Sequence, residues 1–242
     1  MATTADALLE ELASAPELAG LFLDFDGVLA PIVARPEDAA APAETRAELV
    51  RLAARYRLVC VVSGRPSEDV RARVGVDGVD VVGTHGLELD PGAEEWRARI
   101  GAFAAGEDWP ASQVEDKGLT VAFHFRDRED EAAAMRELET VAAHAREAGF
   151  VARFGRKVLE VLPPIDANKG TAVRSLLERD GLSRALVAGD DTTDLDAFRA
   201  VEGCELAVRV AVASAESPPA LRESADVVVG STAAFLELLR RL

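Results

Sequence analysis

Leu21-Phe-Leu-Asp24-Phe-Asp26-Gly-Val28-Leu-Ala30 is the stretch that decides the fold. Three apolar residues run without a break into acid and glycine. A short unbroken apolar run reads as a strand buried on both faces. Such strands belong to parallel sheets, because only crossover helices cover both faces. The end of this strand is then a delivery point for Asp24 and Asp26.

Working outward, the same rhythm continues. Thr45 to Tyr56 has helical spacing at Leu49, Leu52 and Tyr56. Leu58 to Val62 is a second buried strand, closed by Ser63-Gly64-Arg65-Pro66, and Glu68 to Val74 is helical. Val79 to Val82 is a third strand, followed by Gly83-Thr-His85-Gly86-Leu-Glu88. The rhythm returns after Pro163-Pro164. Lys169-Gly170 opens a helix to Glu178, and Ala185 to Ala188 is a strand ending in Gly189-Asp190-Asp191. Asp194 to Ala200 is a helix, Cys204 to Val210 and Val227 to Val229 are strands, and Thr232 to Leu242 is a closing helix.

The middle has another character. Glu94 to Ala105 and Glu129 to Ala148 read as helices, the second with Ala134, Leu138, Val141 and Ala145 on one face. Ser112 to Asp116 with Leu119 to Phe125, and Phe150 to Phe154 with Val158 to Leu162, alternate as hairpins. The expected architecture is therefore α/β: residues 1–90 and 163–242 form a Rossmann-like parallel core, and 91–162 an inserted α+β cap of helix-strand-strand, twice. Hinges are expected near Leu89 to Gly92 and Leu162 to Ile165.

Composition limits the function. The 242 residues carry 27 Lys+Arg against 43 Asp+Glu, a formal charge of −16. That acidity argues against binding nucleic acid or an anionic membrane. It leaves room for one phosphate held by a local cluster. Cys60 and Cys204 make no disulfide framework. No leader pattern opens the chain, and no apolar run reaches the ~18–20 residues of a membrane span. The expectation is a cytoplasmic monomer acting on a small molecule.

In open parallel sheets ligands sit beyond the carboxyl ends of the strands. Asp24, Asp26, Ser63, Asp190 and Asp191 all stand there, and Lys169 begins a helix aimed at the same place. Four converging carboxylates repel one another unless a cation joins them. Oxygen ligands beside a phosphate suit Mg²⁺. Ser63, with the Gly64 and Arg65 N–H groups after it, and Lys169 can hold the phosphate. The set fits phosphoryl transfer through an aspartyl-phosphate, with Asp24 as nucleophile and Asp26 as acid and then base. Each motif alone has a bland reading: a solvated strand end, an ordinary loop, a helix start, an N-cap. Their order and placement together favour the chemistry.

These motifs resemble the haloacid dehalogenase superfamily, and within it the trehalose-6-phosphate phosphatases. The likeness runs through Leu21 to Ile32, Ser63 to Pro66, Gly83 to Glu88, Val114-Glu-Asp-Lys117, Ala122-Phe-His124-Phe-Arg126, Val158-Leu-Glu160-Val161, Asn168-Lys-Gly170 and Gly189 to Asp194. The resemblance implies a mobile cap that closes over the substrate. It implies Mg²⁺ on Asp24, the Asp26 main-chain carbonyl and Asp190, with Asp191 and Asp194 assisting. It also implies sugar contacts from His85, Gly86, Glu88, Lys117, His124, Arg126 and Glu160. Solvated-surface readings stand beside Lys117, His124 and Glu160, and Trp96 and Trp109 read as packing residues. Val28 stands where the family usually has Thr, Leu162 where it has Arg, and Leu195 where it has an acid. The implied activity is hydrolysis of trehalose 6-phosphate. Another phosphorylated disaccharide or pseudo-disaccharide, of glucosylglycerol or validoxylamine type, and a non-catalytic phosphosugar sensor are the alternatives.

Overall fold

The computed structural model describes residues 4–33, 35–106, 109, 113–125, 127–155, 157–214 and 217–242. The chain forms two compact units, Met1–Gly86 with Ala167–Leu242, and Leu87–Asp166.

The first unit is built on six strands: β1 (Ala19–Leu23), β2 (Leu58–Val62), β3 (Asp80–Val82), β8 (Arg184–Gly189), β9 (Leu206–Val212) and β10 (Val227–Val229). Their order is β10-β9-β8-β1-β2-β3, and every neighbouring pair is parallel. The chain winds from β1 to one edge, then restarts at β8 and winds to the other. The switch point lies between β1 and β8, with Leu23 opposite Ala188. A crevice opens at such a point because the two neighbouring connections leave in opposite directions.

Alternation along the strands explains the two cores. Leu21 and Leu23 join Val59, Val61, Leu186 and Val208 under helices α1 (Thr4–Ala13), α2 (Ala43–Ala53), α3 (Ser67–Val74) and α9 (Thr232–Leu239). Phe22 joins Cys60, Val62 and Val187 under α6 (Lys169–Asp180), α7 (Asp194–Ala200) and α8 (Pro219–Ser224). Strands buried on both sides expose only their ends, so chemistry has nowhere else to go.

Helices α1 and α8 were not expected. Leu9 and Leu12 on α1 are fully buried against the sheet. Strand β9 begins two residues later than the sequence reading. Cys204 is taken by a turn, its N–H donating to the Val201 carbonyl.

The second unit holds α4 (Glu94–Ala104), β4 (Gln113–Asp116), β5 (Val121–His124), α5 (Glu131–Glu147), β6 (Val151–Gly155) and β7 (Val158–Leu162). The strands form an antiparallel sheet in the order β4-β5-β7-β6. Val121, Phe123, Leu159 and Val161 face Ile100 of α4 and Ala134, Leu138 and Val141 of α5. Asp130 caps α5 by accepting from the Ala133 N–H at 2.8 Å, a contact that offsets an unpaired helix-end donor. The Leu162 position pairs with Val151 at the end of the sheet. Among the described residues no helix is long and apolar enough to cross a membrane.

Candidate active site

Asp24 follows β1 directly, and its N–H donates to the Ala188 carbonyl of β8 at 3.0 Å. The backbone ladder thus carries Asp24 to the mouth of the switch point. Its side chain turns inward: Oδ1 accepts from the Phe25 N–H at 2.7 Å and from Lys169 Nζ at 2.9 Å. Asp24 is 7% exposed and Lys169 3%.

Lys169 is fixed by how its helix begins. Asn168 accepts from the Thr171 N–H, and Thr171 Oγ1 accepts from the Asn168 N–H, both at 2.9 Å. This reciprocal cap sets the first turn of α6 and aims the buried ammonium at two carboxylates. The second is Asp194 Oδ1, at 2.7 Å. Asp194 Oδ2 in turn accepts from the N–H groups of Asp190 and Asp191, at 2.9 and 3.0 Å. Asp194 is therefore the keystone of the loop after β8. Gly189 is required there, since a Cβ would run into the Asp194 carboxylate, and Gly27 (φ +81°) is required against Asp190.

Asp24, Asp190 and Asp194 bring carboxylate oxygens within 4.8 Å of one another. Burial is the main force raising the Asp24 pKa well above its ordinary value; Lys169 opposes it and Asp194 reinforces it. Burial, then Asp194, pushes Asp190 up to about 7. Lys169, penalised by burial, is nonetheless raised because Asp194 and Asp24 both hold its charge. With all three carboxylates ionised against one ammonium, two negative charges would be left uncompensated in a buried cluster, which is why Asp24 and Asp190 resist ionising without a cation. A divalent cation on oxygen ligands is the group that fits this imbalance. Asp194 has given three of its about four lone-pair sites to donors, so Asp24 and Asp190 are the members with more lone pairs to give. Asp191 is exposed, and its Oδ1 accepts from the Thr192 N–H at 2.6 Å.

Asp26 points elsewhere. Arg65 grips it with two parallel bonds, Nε to Oδ2 at 2.6 Å and Nη2 to Oδ1 at 2.9 Å. Hydrogen bonds to Asp26 outweigh burial and hold the guanidinium more firmly protonated. Ser63 caps β2 and is 1% exposed; its Oγ accepts from the Arg65 N–H at 3.2 Å. The loops are laced together, with Thr84 N–H donating to the Arg65 carbonyl and His85 N–H to the Ser63 carbonyl. The His85 ring lies so close to Gly64 that a Cβ there would sit 2.6 Å from it. Thr84 and His85 both take left-handed backbone angles, φ +50° and +54°, and Gly86 follows at +98°. Two consecutive non-glycine residues there store strain of about 1–3 kcal/mol each.

In the second unit Lys117 Nζ donates to Glu160 Oε1 at 3.2 Å, and His124 Nε2 stands 3.0 Å from Glu115 Oε2. Glu160 lies opposite Ala122, and Glu115 opposite Ala122 on the other side. With Phe123 and Leu159 packed on the helices, these polar residues share the sheet's other face. Glu88 is half-buried in the short turns Thr84–Leu89. Arg126 lies outside the described residues. Asp194 as the partner of Lys169, and Glu115 as a member of the polar face, were not singled out from sequence. The signal for Glu115 was its two-residue spacing from Lys117.

The trehalose-phosphatase family model matches residues 22–227. A trehalose-phosphate phosphatase of Mycobacterium avium is 37% identical over 206 residues, covering 76% of this chain and 51% of that protein. A protein of Mycobacterium tuberculosis described as an uncharacterized glycosyl hydrolase is 40% identical over 207 residues, covering 75% of this chain and 15% of that one. The chain thus spans about half the length of the phosphatase and a small part of the latter protein. Among solved structures, the C-terminal domain of a Candida albicans trehalose-6-phosphate phosphatase superposes with TM-score 0.72 at 22% identity, over 98% of this chain and 96% of that one. A trehalose-6-phosphate phosphatase related protein gives 0.73 at 24%, over 91% and 95%. The structural likeness carries the fold: a parallel α/β core with an inserted antiparallel unit. The chain belongs to the trehalose-phosphatase family.

Proposed function

We propose that this member of the family is a Mg²⁺-dependent phosphatase that hydrolyses trehalose 6-phosphate to trehalose and phosphate. The observation that carries the reading is the buried, charge-unbalanced cluster of Asp24, Asp190, Asp194 and Lys169 at the carboxyl ends of β1 and β8.

Oδ1 of Asp24 is held by two donors, which leaves Oδ2 to attack phosphorus. The bond from phosphorus to the sugar oxygen breaks, and that oxygen takes a proton from Asp26. Water then attacks the phosphorus of the acyl phosphate and gives a proton to Asp26, which frees Asp24 and inorganic phosphate. Lys169, Ser63 and the N–H groups of Gly64 and Arg65 steady the phosphate oxygens. Asp24, Asp190 and the Asp26 main-chain carbonyl would hold the Mg²⁺, which supplies charge neutralisation on those oxygens. Residues 91–162 act as a lid, with Lys117, His124 and Glu160 of its polar face and Arg126 as sugar contacts; His85, Gly86 and Glu88 contribute from the turns Thr84–Leu89.

The test is phosphate release with Mg²⁺ from trehalose 6-phosphate, sucrose 6-phosphate, glucose 6-phosphate and a pseudo-disaccharide phosphate. The expected result is preference for trehalose 6-phosphate and loss of turnover by at least ~10³-fold in Asp24→Asn. Preference for another member keeps the chemistry and moves the substrate, an outcome that Leu162 in place of an arginine would explain. Binding without turnover would make the protein a sensor.

A further inference from the structure

The Arg65 grip on Asp26 is itself anchored. Arg65 Nη1 reaches Asp69 Oδ2 at 3.2 Å, one helical turn along α3. Arg73 Nε bridges both oxygens of Asp69 at 2.8 Å. Arg73 Nη1 then donates to the carbonyls of Glu37 and Ala39, at 2.8 and 2.7 Å. Burial would raise the Asp69 pKa, but hydrogen bonds and charge from Arg73 and Arg65 outweigh it and hold it below the ordinary value. A chain of hydrogen bonds and ion pairs therefore runs from the loop at Glu37 to the carboxylate two residues after the nucleophile.

We propose that Asp69, braced by Arg73, is a positioning residue that holds the Arg65 fork against Asp26 and so sets the orientation of the proton-transferring carboxylate. This rests on the phosphatase reading above. An ionised carboxylate offers about four lone-pair sites. The fork takes one on each oxygen of Asp26 and leaves the others for the reacting proton. A guanidinium gripping only Asp26 can swing with it; one pinned on its far side by Asp69 cannot. A carboxylate misaimed by a fraction of an ångström transfers protons poorly while the nucleophile and phosphate site stay intact.

The test compares leaving groups in Asp69→Asn. Departure of an alkoxide needs the proton from Asp26, whereas p-nitrophenolate leaves without one. The expected result is a fall of about tenfold in kcat on trehalose 6-phosphate with KM unchanged, while the first-turnover burst of p-nitrophenol keeps its rate. Arg73→Lys, which keeps the charge and loses the bridge, gives a smaller fall of the same kind. Equal loss on both substrates, or no loss on the sugar phosphate, overturns the proposal. The Arg65 Nε–H resonance gives an arm independent of turnover. Its exchange with water is expected to speed up in Asp69→Asn, and unchanged exchange also overturns the proposal. Failure of the wild-type protein to hydrolyse either substrate would instead remove the phosphatase reading, with the resonance still deciding whether Asp69 holds Arg65.

Discussion

The two units of this chain both place charge on a sheet, and they do it in opposite ways. In the parallel unit helices cover both faces, so the charged residues stand at the strand ends, where Asp24, Lys169 and Asp194 are 7% exposed or less. In the inserted unit α4 and α5 cover one face only, and the charged residues stand on the other. There Lys117 has 17% of its side chain exposed, Glu160 34% and Glu115 45%. The buried cluster is held rigidly because backbone N–H groups fix Asp24 and Asp194 and the capped start of α6 fixes Lys169. The open face is adjustable because its partners are other long side chains. On the function proposed above, the first arrangement would serve bond making and the second selection among sugars, and this division can be broken at either end.

The largest effect is expected at Lys169. Replacing it with Met leaves Asp24 and Asp194 buried with no ammonium between them. Breaking a buried pair by removing one partner costs about 3–5 kcal/mol, and protonation of the stranded carboxylates recovers part of this. The urea midpoint of Lys169→Met should fall by more than that of any single substitution on the inserted sheet face, and phosphate release should drop by at least ~10²-fold. A midpoint equal to wild type would show that Lys169 is not what balances the cluster, and the contrast drawn above would collapse.

The inserted face should respond in a different quantity. Glu160→Gln removes the charge that holds Lys117, a contact open to water and therefore worth little to stability, about 0–1 kcal/mol. If this face reads the sugar, hydrogen bonds to charged groups are worth about 1.5–3 kcal/mol. KM for the disaccharide phosphate should then rise roughly 10–100-fold, with kcat nearly constant and p-nitrophenyl phosphate turned over as before. Parallel losses on both substrates would mean that the face supports the reaction and not the choice of sugar.

Much of this division was legible in the residues. The run Leu21-Phe-Leu-Asp24 and its counterparts declare buried strands through composition alone, and the paired-strand rhythm of 112–162 declares an antiparallel insert. Helix α1 is hard to read because its apolar face rests on Leu8, Leu9 and Leu12 alone, a stretch too short to mark a helix before the sheet that buries it is known. Asp194 looked like a helix start; its commitment to Lys169 depends on α6 and α7 meeting, which no local pattern records. Alternation put His124 and Arg126 on one face of a strand but could not say which face was wet. For His124 the neighbouring Phe123 decides that, by joining Leu138 and Val141 in the core. The Asp69–Arg73 brace follows from an i,i+4 pair that occurs on many solvated helices, so spacing alone gave it no distinction.

The smallest effect separates the cluster's charge from its packing. Burial first, and Asp194 second, raise Asp190 to about 7. A carboxyl raised on folding favours the folded state while it is protonated. That contribution is whole below the unfolded value of about 3.9 and is lost as pH climbs through about 7. With chelator present, the Tm of the wild-type protein should therefore fall between pH 5 and pH 8 relative to Asp190→Asn, which has no charge to bury. A difference of 1 kcal/mol moves Tm by about 2–4 °C in a chain of this size. Excess Mg²⁺ should reverse the sign, because the ionised form binds the cation and the cation binds only the folded chain. Other acids in the molecule bias the absolute slope. Asp69 and Asp226, both held below their ordinary values, titrate below this window and leave the slope alone, while Asp24, raised by burial, adds to it, so the quantity to read is the difference between the two proteins. Identical slopes with chelator would show that Asp190 carries no buried charge. Identical slopes with Mg²⁺ would show that it holds no metal.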